Sequence, residues 1–108
     1  MAKQTLEELY EMVKQRKAEP VKGSYTDYLF TKGMDKILKK VGEETTEVIV
    51  AAKNNDPKEL QYETADMLYH LMVLLVESGV SFNQIKSELG SRVGKMSQYK
   101  DRAPIEKL

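Results

Sequence analysis

The chain has 108 residues, 41% of them hydrophobic and 31% charged, the balance of one globular domain and not of a disordered or membrane-spanning chain. Its 17 basic and 17 acidic side chains cancel, so no global charge points to a nucleic-acid or membrane partner. There is no cysteine, which excludes disulfides, thiolate metal sites and cysteine nucleophiles; the acid-bearing start, MAKQTLEELYEMV, does not read as a signal peptide, so the cytoplasm is the expected compartment.

Four helices and no strand are predicted. The first covers roughly 5–18, where Thr5 and Glu8 form a capping box and Leu6, Leu9, Tyr10 and Val13 make one apolar stripe. Pro20 and Gly23 end it. The second starts near Ser24 and is long, reaching about Lys53. Its seam is Phe30, Met34, Ile37, Val41, Glu44, Val48 and Ala51, at alternating steps of four and three. Gly33 and Gly42 each cost about 1 kcal/mol against alanine inside a helix, so they mark close packing, a kink or a ligand approach.

Asn54 and Asn55 make a turn, after which Asp56 caps a third helix with Pro57 at its first position and Glu59 as a box partner. It stops at Gly79. Between Met67 and Val76 only His70 is neither apolar nor aromatic, so this helix is expected to be buried on every side, which in a short chain calls for a second subunit. A fourth helix opens at Ser81, with Gln84 as box partner and Phe82, Ile85, Leu89 and Val93 as its stripe; a polar tail follows from Ser97. The expected architecture is a single all-α domain over residues 1–108, a four-to-five-helix bundle built on a long antiparallel helical hairpin.

The informative residues are acids placed where packing residues belong. Glu44 and Glu47, three apart, share one face of the second helix, and Glu63 and Asp66 share one face of the third. Folding the hairpin at residues 54–56 brings the two pairs to comparable height. Glu44 itself sits in the seam between Val41 and Val48. Converging buried like charges are unfavourable unless a cation neutralises them, and an all-oxygen set suits Mg²⁺ or Mn²⁺ and not zinc. A lone E-x-x-E is ordinarily a solvated face; two pairs on adjacent helices, with one acid in the seam, make Glu44, Glu47, Glu63 and Asp66 candidate metal ligands.

Lysines surround these acids. Lys32, Lys36, Lys39 and Lys40 precede them and Lys53 follows. Like charges at i, i+4, as at Lys32 and Lys36 or Lys36 and Lys40, are unfavourable in a helix unless an anion lies between them, and a polyphosphate would serve. Surface pairing with Glu43 or Glu44 is the plainer explanation. Lys39, Lys40 and Lys53 are the phosphate-binding candidates. His70, four residues after Asp66, reads as a packing residue or one that orients a carboxylate. The E-x-x-H spacing of di-iron bundles is absent. Tyr25, Tyr28, Tyr62, Tyr69 and Tyr99 can stack on a base or pack a core, and no binding role is assigned to any of them.

The segments SYTDYLFTKGMDKILKK, KKVGEETTEVIVAAKN and YETADMLYHLMVLL resemble the phosphoribosyl-ATP pyrophosphatases of histidine biosynthesis, over roughly residues 24–95. These belong to the wider MazG-like all-α nucleoside-triphosphate pyrophosphohydrolases, marked by E-x-x-E, a gap and E-x-x-D, here Glu44, Glu47, Glu63 and Asp66. The resemblance implies Mg²⁺-dependent hydrolysis of phosphoribosyl-ATP to phosphoribosyl-AMP and pyrophosphate, and a homo-oligomer of at least two subunits paired through the hairpin helices. Without the cysteines of the cyclohydrolase domain fused to some family members, the chain is expected to be monofunctional. Glu43 and Glu47 are the candidates to position the attacking water, and the sequence does not choose between them. The rival readings are a house-cleaning pyrophosphohydrolase acting on dUTP or similar triphosphates, and a non-enzymatic helical dimer that binds a partner through the third helix.

Overall fold

A computed structural model describes residues 2–95. Tyr99 and the polar tail from Ser97 lie outside the described residues. The described residues form five helices, α1 (Leu6–Ala18), α2 (Tyr25–Lys32), α3 (Met34–Lys53), α4 (Pro57–Ser78) and α5 (Phe82–Gly90). No strand occurs among the described residues, so the fold is the expected all-α bundle.

Four of the five helices start on a side-chain cap that satisfies an otherwise unpaired backbone donor. Thr5 Oγ1 accepts from the Glu8 N–H at 3.1 Å while Glu8 Oε1 accepts from the Thr5 N–H at 2.8 Å. Ser81 and Gln84 repeat this reciprocal arrangement before α5. Ser24 caps α2 by accepting from Asp27 N–H, and Asp56 caps α4 by accepting from Glu59 N–H. The turn between α3 and α4 uses Asn55 at φ 53°, a left-handed conformation asparagine tolerates better than most residues.

The long helix expected from Ser24 to Lys53 is two helices, divided at the first of the two glycines for which a kink is one reading. Gly33, at φ 91° and ψ −173°, ends α2 and starts α3, a backbone state open at low cost only to glycine. Its N–H still donates to Leu29 O at 3.0 Å and its carbonyl accepts from Ile37 N–H at 3.2 Å, so the break leaves both of its backbone groups paired. The apolar spacing runs through the break, because Phe30, Met34 and Ile37 all face inward to some degree, and that hid it in the sequence. Gly42 has no such role: an added Cβ there would meet nothing within 4 Å.

The core gathers Tyr10 and Val13 from α1, Leu29 from α2, Ile37 from α3, and Met72 and Val73 from α4. Val13, Leu29, Ile37 and Val73 are fully enclosed, each contributing roughly 1.5–3 kcal/mol of apolar burial. Tyr10 also donates from its hydroxyl to Val80 O at 2.9 Å and stacks on Phe82, tying α1 to the α4–α5 connection. The stripe expected to reach Val93 stops short: α5 ends at Gly90, and Val93 is 80% exposed.

The burial expected all round α4 is not complete within one copy. Only Glu63, His70, Met72 and Val73 are buried on this helix, and Tyr62 is exposed. On α3, Leu38, Ile49 and Val50 remain exposed as well. No single helix among the described residues is long and apolar enough to cross a membrane. Because the Gly33 backbone lies in a region strained for any L side chain, Gly33→Ala is expected to lower stability by about 1–3 kcal/mol, read as a lower urea midpoint at unchanged m-value.

Candidate functional site

The hairpin of α3 and α4 carries the acids. The two helices form the largest contact in the fold, and they pair antiparallel, so Glu44 lies level with Asp66 and Glu47 level with Glu63. The apolar neighbours of Glu44 in the seam draw it inward, and it is 3% exposed despite its charge. Glu63 is 7% exposed on the facing helix.

The four expected ligands meet as two overlapping groups and not around one point. Glu44, Glu47 and Glu63 can each offer an oxygen within 4.8 Å of the others, and so can Glu44 and Asp66 with a nitrogen of His70. Glu44 belongs to both. Among the described residues Lys40 is the one lysine or arginine within ion-pair reach of these acids, 3.4 Å from Glu44 Oε1 and 3.7 Å from Glu43 Oε1. The other oxygen of Glu44, and Oε2 of Glu63, are buried with no hydrogen-bond partner. A buried unpartnered carboxylate oxygen is unfavourable, and its remedies are a proton or a cation.

Electrostatics favours the proton in the cation-free protein. The Glu47 carboxylate beside Glu63, together with burial and the nearby Glu59 and Glu44 groups, pushes the Glu63 carboxyl up to about 8. Burial and the Glu44 carboxylate likewise raise Asp66, against the opposing pull of His70 and Lys40. On Lys40, burial acts downward, but the Tyr25, Glu44 and Glu43 groups outweigh it and raise the ammonium. Two orphaned oxygens inside a set of hard carboxylate donors fit divalent-cation binding, with Glu44, Glu47 and Glu63 offering one group of oxygens and Glu44 and Asp66 the other.

His70 is 1% exposed and both ring nitrogens are engaged. Nδ1 lies 2.8 Å from the Asp66 carbonyl, which can only accept, so in the neutral ring Nδ1 carries the proton and Nε2 accepts from the Tyr25 hydroxyl at 2.9 Å. Nδ1 also lies 3.4 Å from Asp66 Oδ1. His70 therefore orients its neighbours, the plainer of the two roles its spacing allowed. Tyr69, packed edge-on against His70, bonds through its hydroxyl to Thr26 of α2.

The remaining candidates lie at the margin. Glu43 is about half exposed, beside Lys40 and outside both groups. Lys39 and Lys53 are exposed and form no ion pair among the described residues. One acid escaped the sequence reading: Glu59 lines a cleft beside the connecting turn of the hairpin with Glu47, Val50, Asn54 and Glu63. Its i, i+4 spacing from Glu63 was a usable signal, but its position three residues after Asp56 marked it as a capping partner. The cap proves one-sided, through the Glu59 N–H.

Comparison with known proteins places the chain among named relatives. The model of the family described as phosphoribosyl-ATP pyrophosphohydrolase matches residues 6–93. A protein of Lactiplantibacillus plantarum named phosphoribosyl-ATP pyrophosphatase is 74% identical over 105 residues, spanning 97% of this chain and 99% of that one. Proteins of the same name from Limosilactobacillus fermentum and Listeria welshimeri are 71% and 58% identical, over 97% and 95% of this chain and 99% of each relative. On the extent of the family match and the identity to these relatives, the chain belongs to the phosphoribosyl-ATP pyrophosphohydrolase family.

Proposed function

We propose that the chain hydrolyses phosphoribosyl-ATP to phosphoribosyl-AMP and pyrophosphate, in histidine biosynthesis, at the Glu44-centred cluster and with Mg²⁺. The observation that carries this reading is the pair of buried, unpartnered oxygens on Glu44 and Glu63 within a family whose named relatives act on that nucleotide. Bound Mg²⁺ would offset negative charge on the phosphate oxygens as the α–β bridge breaks.

The chain's own groups supply the rest. Glu44, Glu47 and Glu63 would hold the cation, Asp66 would offer a further oxygen beside Glu44, and His70 fixes the helical turn that carries Asp66. Glu47 faces the open cleft beside Glu63, whereas Glu43 leans on Lys40, so Glu47 is assigned to orient the attacking water and accept its proton. The water oxygen ends on phosphorus, its proton on Glu47, and pyrophosphate departs. Lys40 stands against the cluster, and the exposed Lys39 and Lys53 are free to swing toward the departing phosphates.

The exposed apolar residues on the hairpin support a homo-oligomer of at least two copies. Leu38, Ile49 and Val50 of α3 and Tyr62 of α4 leave apolar area in water that a second copy would cover. Sedimentation of Ile49→Glu is expected to give a monomer where the parent chain gives a larger species; an unchanged profile would remove this face from the interface.

Pyrophosphate release with phosphoribosyl-ATP, measured beside dUTP and other triphosphates, tests the substrate directly; preference for a simple triphosphate would replace the reading. Glu63→Gln and Glu44→Gln are each expected to lower Mg²⁺-dependent turnover by more than the roughly 10- to 100-fold typical of residues that only support a ligand. At neutral pH and above, Glu63→Gln is also expected to raise the melting temperature of the cation-free protein, because the amide takes up no proton on folding and carries no charge for its neighbours to repel.

The sign of the pH dependence follows from the same group. With its acid constant raised from 4.5 to about 8, folded Glu63 keeps a proton that the unfolded chain has lost across that interval. Stability from this source is therefore full below about pH 4.5 and lost as the pH climbs through about 8. Melts in chelator should fall across this window, and Glu63→Gln should flatten the slope.

A further inference from the structure

Outside the carboxylate cluster, one stacked pair of aromatic rings stays partly in water. Tyr25 and Tyr28, on successive turns of α2, are 45% and 40% exposed, yet their rings stack with centroids 5.9 Å apart and planes 22° apart. The Tyr25 ring is anchored from the protein side. Its hydroxyl bonds His70 Nε2 at 2.9 Å, and it packs against the edge of His70 and the tilted ring of Tyr69. Burial raises the Tyr25 phenol, so it stays protonated and able to donate. Cations stand over the Tyr28 ring: Lys32 Nζ and Lys36 Nζ are each 5.9 Å from its centre, a loose contact that a stacking base would displace. The loose contact leaves both ammoniums free of any carboxylate among the described residues.

This edge adjoins the reactive cluster. His70, which holds Tyr25, is itself within 4.8 Å of candidate ligand oxygens of Glu44 and Asp66. Flat apolar area beside unneutralised positive charge is the complement of a nucleotide, which carries a flat base and phosphate groups. We propose that the stacked rings of Tyr25 and Tyr28 form the base-binding platform of the site, taking the purine of the nucleotide, with Lys32 and Lys36 meeting the negative charge of the same ligand. The inference rests on the functional reading above and adds to it the residues that recognise the base. On this account the hydrogen bond from Tyr25 to His70 fixes the platform relative to the carboxylates, so base and phosphates are placed by one continuous set of contacts.

Steady-state kinetics of the full chain with phosphoribosyl-ATP and Mg²⁺ test the platform. Stacking of one base is typically worth about 5- to 150-fold in binding. Tyr28→Leu is expected to raise KM about 10-fold with kcat changed less than about 2-fold, and Tyr28→Phe, which keeps the ring, to restore the parent KM. Tyr25→Leu is expected to raise KM likewise and, because it also removes the partner of His70 Nε2, to lower kcat as well. Inhibition by inorganic pyrophosphate, which has no base to stack, should be unchanged in all three variants. An unchanged KM in both leucine variants, with the parent chain active, overturns the platform and leaves the proposed reaction standing. A fall in kcat alone, or equal weakening of pyrophosphate inhibition, also overturns it, because the damage would then lie in the phosphate site. Failure of the parent chain to hydrolyse phosphoribosyl-ATP, in an assay that detects pyrophosphate, overturns both.

Discussion

Glu44 is a carboxylate that apolar packing holds inside a helix–helix seam, and most of what distinguishes this molecule follows from that placement. Val41, Val48 and Ala51 lie along the same seam, and burying them against α4 carries the acid in with them. One of its oxygens reaches Lys40 and the other reaches nothing. Left alone, such a charge opposes folding. The facing helix adds Glu63 in the same condition, and the resulting repulsion is why the Glu63 carboxyl keeps its proton so far above the usual range. The apolar core of Val13, Leu29, Ile37 and Val73 supplies the stability that lets the hairpin hold this unfavourable arrangement.

The rest of the fold supports that centre from outside. His70 links the turn carrying Asp66 to the hydroxyl of Tyr25, and Tyr69 links α4 to Thr26. Both connections require α2 to lie against α4 as well as α3, and the helix break at Gly33 makes this possible. A straight helix from residue 24 to residue 53 would carry α2 onward along the α3 axis. Glycine at that one position thus has a consequence for the site that its own surroundings, empty of side chains, do not reveal.

Family membership and geometry constrain different things. The match to the phosphoribosyl-ATP pyrophosphohydrolases names a reaction type for the relatives. Which oxygens are strained, which acid is half in water, and which lysine is already paired are properties of this chain's packing. They lead to the division of labour proposed for Glu44, Glu47, Glu63 and Lys40. The apolar faces of α3 and α4 left open within one copy belong to the same logic, since a hairpin that buries acids on one side has fewer positions on which to close its own core.

Local signals were legible in the residue order because they act over three or four positions. The boxes at Thr5 and Ser81, the Asp56–Pro57 start, the turn at Asn54 and Asn55 and the stop at Gly79 all depend on neighbours along the chain, and each stands where the residues placed it. The pairing of Glu44 and Glu47 with Glu63 and Asp66 was legible too, since helix period and turn position fix the height of each pair. Other features were settled only by the three-dimensional packing. The break at Gly33 depends on whether tertiary contacts favour a bent or a straight path, and apolar spacing is the same for both. The split of four acids into two groups sharing Glu44, the engagement of both His70 nitrogens, and the contact of Tyr25 with a residue 45 positions away are separations in space with no counterpart in spacing along the chain.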